Sequence, residues 1–143
     1  MKKSFLMILT LLSIKIAAQQ CWQSVVAGYD HSVGIGQNGT LWTWGRNDEY
    51  QLGSNTDVSF SLLPIQIGTA TNWQSAAAGS RFTVAKKADG TLWAWGSNTN
   101  GTLGVGGTVH RSSPTQVGAL SVWRKVGGNQ QHDSIVAIQS DGS

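Results

Sequence analysis

The feature that most constrains this chain is a self-similarity at a spacing of 51 residues. Trp22-Gln23-Ser24 recurs as Trp73-Gln74-Ser75, and Gly39-Thr40-Leu41-Trp42 as Gly90-Thr91-Leu92-Trp93. The same shift carries Ala27-Gly28 onto Ala78-Gly79, Trp44-Gly45 onto Trp95-Gly96, Asn47 onto Asn98 and Leu52-Gly53 onto Leu103-Gly104. After one deletion, Pro64, Gln66 and Gly68 return as Pro114, Gln116 and Gly118. A third copy opens at Trp123 and, with two extra residues, runs through Ser134–Ile138 to Asp141-Gly142. All seven tryptophans (Trp22, Trp42, Trp44, Trp73, Trp93, Trp95 and Trp123) fall on three repeating positions. A period of this size marks one supersecondary unit that must stack on its neighbours to bury its apolar surface.

Within each copy the local signals are those of β-structure. Residues 31–37 and 40–44 are short and rich in β-branched and aromatic types, and Asn38-Gly39 joins them. Asp89-Gly90 does the same in the second copy, and both dipeptides predict a two-residue type I′ hairpin turn. Alternation places Val33 and Ile35 on one face, and Trp42 with Trp44 on one face of the next strand. Shorter strands are predicted at 24–27 and 65–67 and their copies, and no segment after the leader has a helical period. Four short antiparallel strands per copy make a propeller blade. The expected fold is therefore all-β, a partial β-propeller of about 2.5 four-stranded antiparallel blades. A buried Trp removes roughly 150–250 Å² from water. That area corresponds to an upper bound on the order of 4–6 kcal/mol, so the tryptophans are expected to hold blades together.

The order Trp…Ala-Gly, His31-Ser32-x-x-Ile35, Asn/Asp-Gly-Thr-Leu-Trp-x-Trp-Gly-x-Asn, Leu-Gly and Pro resembles the regulator of chromosome condensation (RCC) repeat. The likeness runs from Trp22 to Gly142, and its most specific parts are residues 42–47 and 93–98. A WD-type repeat is shorter and wants Trp-Asp. A kelch repeat wants a double glycine at a fixed place, whereas Gly106-Gly107 and Gly127-Gly128 occupy unrelated positions. The resemblance implies a seven-bladed propeller, for which seven copies would need roughly 360 residues. The chain is thus expected to be a fragment whose missing blades belong to the same polypeptide. With two blade faces open, it is expected to be poorly stable or to associate.

Charge sorts the chain into two parts. The net charge is +3, with ten Lys+Arg against seven Asp+Glu. Three of the cations are Lys2, Lys3 and Lys15, so the remaining seven balance the acids. Two lysines, an apolar run over Phe5–Ile14 and then Ala17-Ala18 follow the order of a secretory signal peptide. The run is about ten residues against roughly twenty for a membrane span. Residues 1–19 are read as the signal peptide, cleaved after Ala18 or Gln19, and residues 20–143 as the repeats. The expected location is extracellular or periplasmic, with no membrane span after cleavage. The neutral body argues against a nucleic-acid partner. The single Cys, Cys21, excludes a disulfide scaffold and a Cys-based zinc cluster, and is read as a thiol near the terminus.

No residue set promises catalysis. Gly34–Gly39 spells G-x-G-x-x-G, but within a strand and a hairpin instead of before a helix. His31 stands where the second copy has Phe82 and is read as a packing or turn-stabilising residue. His132-Asp133 is read as a local pair without a nucleophile motif. Glu49 follows Asp48, and adjacent carboxylates do not face each other as a glycosidase pair. Asn98–Gly101 lacks the carboxylates of a calcium loop. Lys86-Lys87 and Arg124-Lys125 are read as solvated surface pairs. No catalytic residue, cofactor or metal ligand set is therefore expected, and Gly28, Gly79, Gly45 and Gly96 join the tryptophans as frame positions. What varies on the frame are loops expected to share one rim: Tyr29 and Asp30, Arg46 and Tyr50, Ser80 and Arg81, Gln130 and Gln131. Tyr and Arg are types enriched in binding hot spots. The expected function is a secreted, non-enzymatic scaffold recognising an unknown protein partner. The resemblance also implies an alternative, the guanine-nucleotide exchange and chromatin role of nuclear members. A further alternative is an accessory domain of a larger secreted enzyme or glycan-binding protein.

Overall fold

The computed structural model describes residues 20–129 and 134–141, so the expected signal peptide and the His132-Asp133 pair lie outside the described residues. The first copy forms β1 (Trp22–Ala27), β2 (His31–Gly36), β3 (Leu41–Arg46) and β4 (Phe60–Gln66). The second forms β5 (Trp73–Ala78), β6 (Phe82–Lys87), β7 (Leu92–Gly96) and β8 (Arg111–Gln116). Each set is one antiparallel sheet in chain order, and β9 (Trp123–Gly128) pairs with β10 (Ile135–Gln139) as a third blade. The described residues contain no helix. Strands β1, β5 and β9 line one open cleft at the centre of the arc, through Val25–Ala27, Ala76–Ala78 and Val126–Gly128. Strands β4 and β8 are the outer edges. The fold is all-β, and its blades form an arc that does not close.

The hairpin turns differ from the predicted type I′. Gly36 N–H donates to Thr40 O at 2.9 Å and Gly39 N–H donates to Gly36 O at 2.9 Å, which closes a three-residue loop. Only Gly39 is left-handed, at φ 75, and Gly90 repeats this at φ 83. This is a type I turn followed by a bulge glycine. The Asn38 side chain explains the choice. Its Oδ1 accepts from Thr40 N–H at 3.3 Å and from Thr40 Oγ1 at 2.6 Å, and Thr40 Oγ1 accepts in turn from Trp42 Nε1 at 2.8 Å. Asp89, Thr91 and Trp93 rebuild the relay at 3.0, 2.7 and 2.9 Å. The fourth strand also begins earlier than predicted. An irregularity in β4, where Leu62–Pro64 stand opposite Trp44 alone, lets the ladder continue, so Gly45 pairs with Ser61 and Arg46 with Phe60.

The blades meet through the tryptophan faces. Trp73 and Trp95 are 5% and 0% exposed, and they pack against Val33, Ile35 and Leu41 of the first blade. Their equivalents Trp22 and Trp44 stay half-buried, because no described blade covers them. Within each blade the rings touch: Trp73 lies 6.3 Å from both Trp93 and Trp95, and Trp22 lies 6.3 Å from Trp42 and 5.6 Å from Trp44. A polar stitch runs through this apolar contact. The Gln51 carbonyl accepts from Trp95 Nε1 at 3.0 Å and from Thr83 Oγ1 at 2.8 Å. Thr83 commits its proton there, so the His31 Nε2–H, 2.8 Å away, donates to the Thr83 oxygen. His31 is therefore a packing residue of the blade interface, as expected. The second interface sets Phe82, Val84 and Leu103 against Trp123, Val126, Ile135 and Ala137.

Two predictions follow from this interface. Burial lowers the His31 pKa from 6.5 to about 4, with Asp30 opposing the shift. A histidine with a depressed folded pKa contributes stability that is complete above its unfolded pKa and is lost as pH falls from there to the folded value. The window is pH 6.5 down to about 4, and the loss is on the order of 3 kcal/mol across it. His31→Phe, the second copy's residue, is expected to flatten urea midpoints measured between pH 7 and 5, and an unchanged slope would refute the assignment. Gly53 has φ +71, and a Cβ there would lie 2.5 Å from Trp95 Nε1, whereas Gly68 at φ +64 faces open space. Gly53→Ala is expected to cost about 2–3 kcal/mol and Gly68→Ala only about 1 in chemical denaturation.

Candidate functional site

Antiparallel order places the β1–β2 turn and the β3–β4 loop at the same end of the first blade, and the β5–β6 turn at that end of the second. Arg46, the last residue of β3, is held there by its N–H donating to Asp30 O at 2.9 Å. Its guanidinium reaches Asp30 Oδ2 at 3.2 Å and Asp48 Oδ2 at 2.6 Å. The hydrogen bond to Arg46 holds the Asp48 carboxyl below the usual carboxylate range, and the same contact, with Asp30 second, keeps Arg46 charged. The three groups are exposed, so solvent screens them, and their effect is to fix positions more than to add stability.

Glu49 crosses to the second blade. Its carboxylate lies 2.8 Å from His110 Nδ1 and 3.7 Å from Arg81 Nη1. A second tie lies beyond it, where Asn55 N–H donates to Ser112 O at 2.9 Å and Ser112 Oγ donates to Asn55 Oδ1 at 2.7 Å. Tyr50, between these ties, has φ 62 where the equivalent Gly101 of the second copy has φ 71. A left-handed tyrosine stores strain that the surrounding contacts must hold. It borders an open groove of about 500 Å³ shared with Asn55, Asp57, Val109, His110 and Ser112. Tyr29 is 68% exposed on the adjoining turn, and its N–H donates to Gly79 O at 3.3 Å.

The described rim residues read from the sequence thus meet at one end. Asp30 and Arg46 form one cluster, Tyr50 and Arg81 flank Glu49, and Ser80 lies half-buried beside Arg81. Gln130 and Gln131 lie outside the described residues. Sequence reasoning missed Glu49 and His110 as partners. Two signals were present: Glu49 is the only Glu of the chain, and His110 replaces Phe60 when the copies are aligned on Pro64 and Pro114. The outer edge also differs between blades. Val58, Phe60, Leu62 and Leu63 are exposed on the first, where the second carries Thr108, His110, Ser112 and Ser113.

The opposite end corrects one expectation. Lys86 and Lys87 were expected to form a solvated pair, but Lys86 is only 6% exposed. Lys87 sits over Trp73 and Trp93, 4.8 and 4.2 Å from the ring centroids, a cation–π arrangement.

Comparison with known proteins agrees with this architecture. Two models described as "Regulator of chromosome condensation (RCC1) repeat" match residues 38–85 and 89–132, and 22–51 and 73–102. The Arabidopsis thaliana ultraviolet-B receptor UVR8 is 34% identical over 122 residues, 82% of this chain and 28% of the receptor. The Mus musculus regulator of chromosome condensation is 32% identical over 120 residues, 81% of this chain and 28% of that protein. Saccharomyces cerevisiae Prp20p, whose structure was reported with its binding to Gsp1p and histones, superposes with a TM-score of 0.69 at 25% identity, covering 80% of this chain and 30% of Prp20p. Human WBSCR16 shows the same fold at 19% identity and a TM-score of 0.72, over 86% of this chain and 32% of its own. The chain therefore spans less than a third of each of these relatives. On the matched repeats and the blade geometry together, it belongs to the regulator of chromosome condensation (RCC1) repeat family.

Proposed function

We propose that this chain is an exported, non-enzymatic propeller scaffold that recognises a protein partner through the rim built by Tyr29, Tyr50, Arg46 and Arg81. The observation that carries this reading is Tyr50. The frame demands a left-handed residue there, the second copy supplies glycine, and the first keeps a tyrosine at a cost in backbone strain. A side chain retained against strain at a surface groove is what a contact residue requires, and Tyr with Arg is a composition suited to hot spots. Similarity to Prp20p, a protein that binds Gsp1p and histones, supports protein recognition by this type of blade. The export reading is supported by the leader alone: charge, then a short apolar run, then Ala17-Ala18.

Tyr50→Gly separates binding from folding. The variant is expected to be as stable as the parent, or more stable by about 1 kcal/mol, because it relieves the strain. It is also expected to lose most partner recovery when the immobilised full chain captures proteins from the producing cell's culture medium, as is Tyr29→Ala. Equal recovery by parent and both variants, quantified by mass spectrometry, would overturn the rim assignment. The same medium tests export: a mature N-terminus at Gln19 or Gln20 is expected, and the full-length chain confined to cells would contradict it.

A further inference from the structure

The repeat frame makes one substitution in the core conspicuous. Ser24 pairs with Ile35 in the first blade, Ser75 with Lys86 in the second and Lys125 with Ile138 in the third, at the same register. Ile35 is buried against the second blade. Lys86 occupies the same place on the face that meets the third blade, so an ammonium stands where the frame puts an isoleucine. The neighbouring frame positions change with it. Where the first blade has Gln23 and Ser24 and the second has Gln74 and Ser75, the third has Arg124 and Lys125, both exposed.

These changes converge. A cleft of about 290 Å³ between the second and third blades is lined by Gln74, Ser75, Lys86, Arg124, Lys125 and Val126. A second opening, with Trp123 and Ser121 on its wall, shares Gln74, Lys86 and Arg124. Lys86 Nζ donates to the Gln74 side-chain carbonyl, and its other contact is Lys87 O at 3.5 Å. Among the described residues, Lys86, Arg124 and Lys125 form no ion pair. Asp89 is not on the lining of either opening, and the cation that acts on it is Lys87. A buried ammonium with only neutral acceptors is costly unless an anion completes it.

We propose that this cleft is an anion-binding site for the phosphate or sulfate group of a ligand, with Lys86 at its floor and Arg124 and Lys125 on its wall. Three cations around one small cleft call for a compact, multiply charged oxyanion, which an isolated planar carboxylate does not supply. Arg offers paired N–H donors and Lys a point charge, the combination that surrounds a tetrahedral group. The site lies at the end of the blades opposite Tyr50, so it is separate from the protein-recognition rim.

The test is a titration of the isotope-labelled full chain with inorganic pyrophosphate and, separately, with inorganic sulfate at low ionic strength. Saturable shifts are expected in the Lys86, Arg124 and Lys125 amides and in the Trp123 indole, with a raised thermal midpoint. Lys86→Ile restores the residue the frame carries in the other two copies. It is expected to fold at least as stably as the parent without ligand and to bind at least tenfold more weakly. Arg124→Gln, an exposed change that spares the core, is expected to weaken binding several-fold. A response to pyrophosphate alone assigns a phosphoryl ligand, and a matching response to sulfate assigns any tetrahedral oxyanion. The absence of saturable shifts with either anion, or equal affinity in parent and Lys86→Ile, would overturn the proposal.

Discussion

The fold rests on the way one blade's tryptophans seat on the next blade's aliphatic face. A single four-stranded sheet here is apolar on both sides, and burial of Trp73 and Trp95 against Val33, Ile35 and Leu41 removes the largest rings of the second blade from water. Apolar contact alone would let two sheets slide. The Gln51 carbonyl prevents this, because it accepts from both Trp95 and Thr83 in a dry interface where a lost partner costs its full desolvation. Two neighbours are tied to that carbonyl through its donors: His31 bonds Thr83, and Gly53 leaves the room that the Trp95 indole occupies.

Repetition is also what makes variation informative. The frame is a set of recurring solutions, such as the relay from Asn38 or Asp89 through threonine to tryptophan. Another is the buried Asn47 or Asn98, whose Oδ1 accepts the Leu52 or Leu103 N–H at 3.0 Å in both copies. Against those constants, Tyr50 for glycine and Lys86 for isoleucine are departures that cost local stability. They lie at opposite ends of the blades. One end is a mixed-charge rim with exposed tyrosines, and the other is a basic cleft whose floor is a core position.

Much of this was legible in the sequence, for identifiable reasons. Period and tryptophan spacing report the blade because each blade must present the same face to a neighbour, and the Trp42 and Trp44 faces follow from strand alternation. The hairpin type was not legible. Asn-Gly alone favours a two-residue turn, and the outcome here was decided by Thr40, whose hydroxyl ties Asn38 to Trp42. The start of β4 was hidden for a similar reason, since the extra residues of β4 at Leu62–Pro64, opposite Trp44, carry pairing past the proline and past Gly45. The rim was read as a set of separate loops. Its electrostatics depend on Glu49 reaching across to His110 and Arg81, a contact between residues far apart in sequence. Lys86 could have been flagged earlier, because alignment to Ile35 was available, but adjacent lysines look like surface until packing shows otherwise.

The most direct test of the inter-blade stitch is hydrogen exchange at the indole N–H groups, read by NMR on the full chain. The Trp95 N–H, bonded to Gln51 O inside the interface, is predicted to exchange orders of magnitude more slowly than that of its repeat equivalent Trp44, which is half-buried on an uncovered face. Comparable exchange at the two indoles would contradict the account, because it would mean that the second blade's tryptophan face is not held shut against the first.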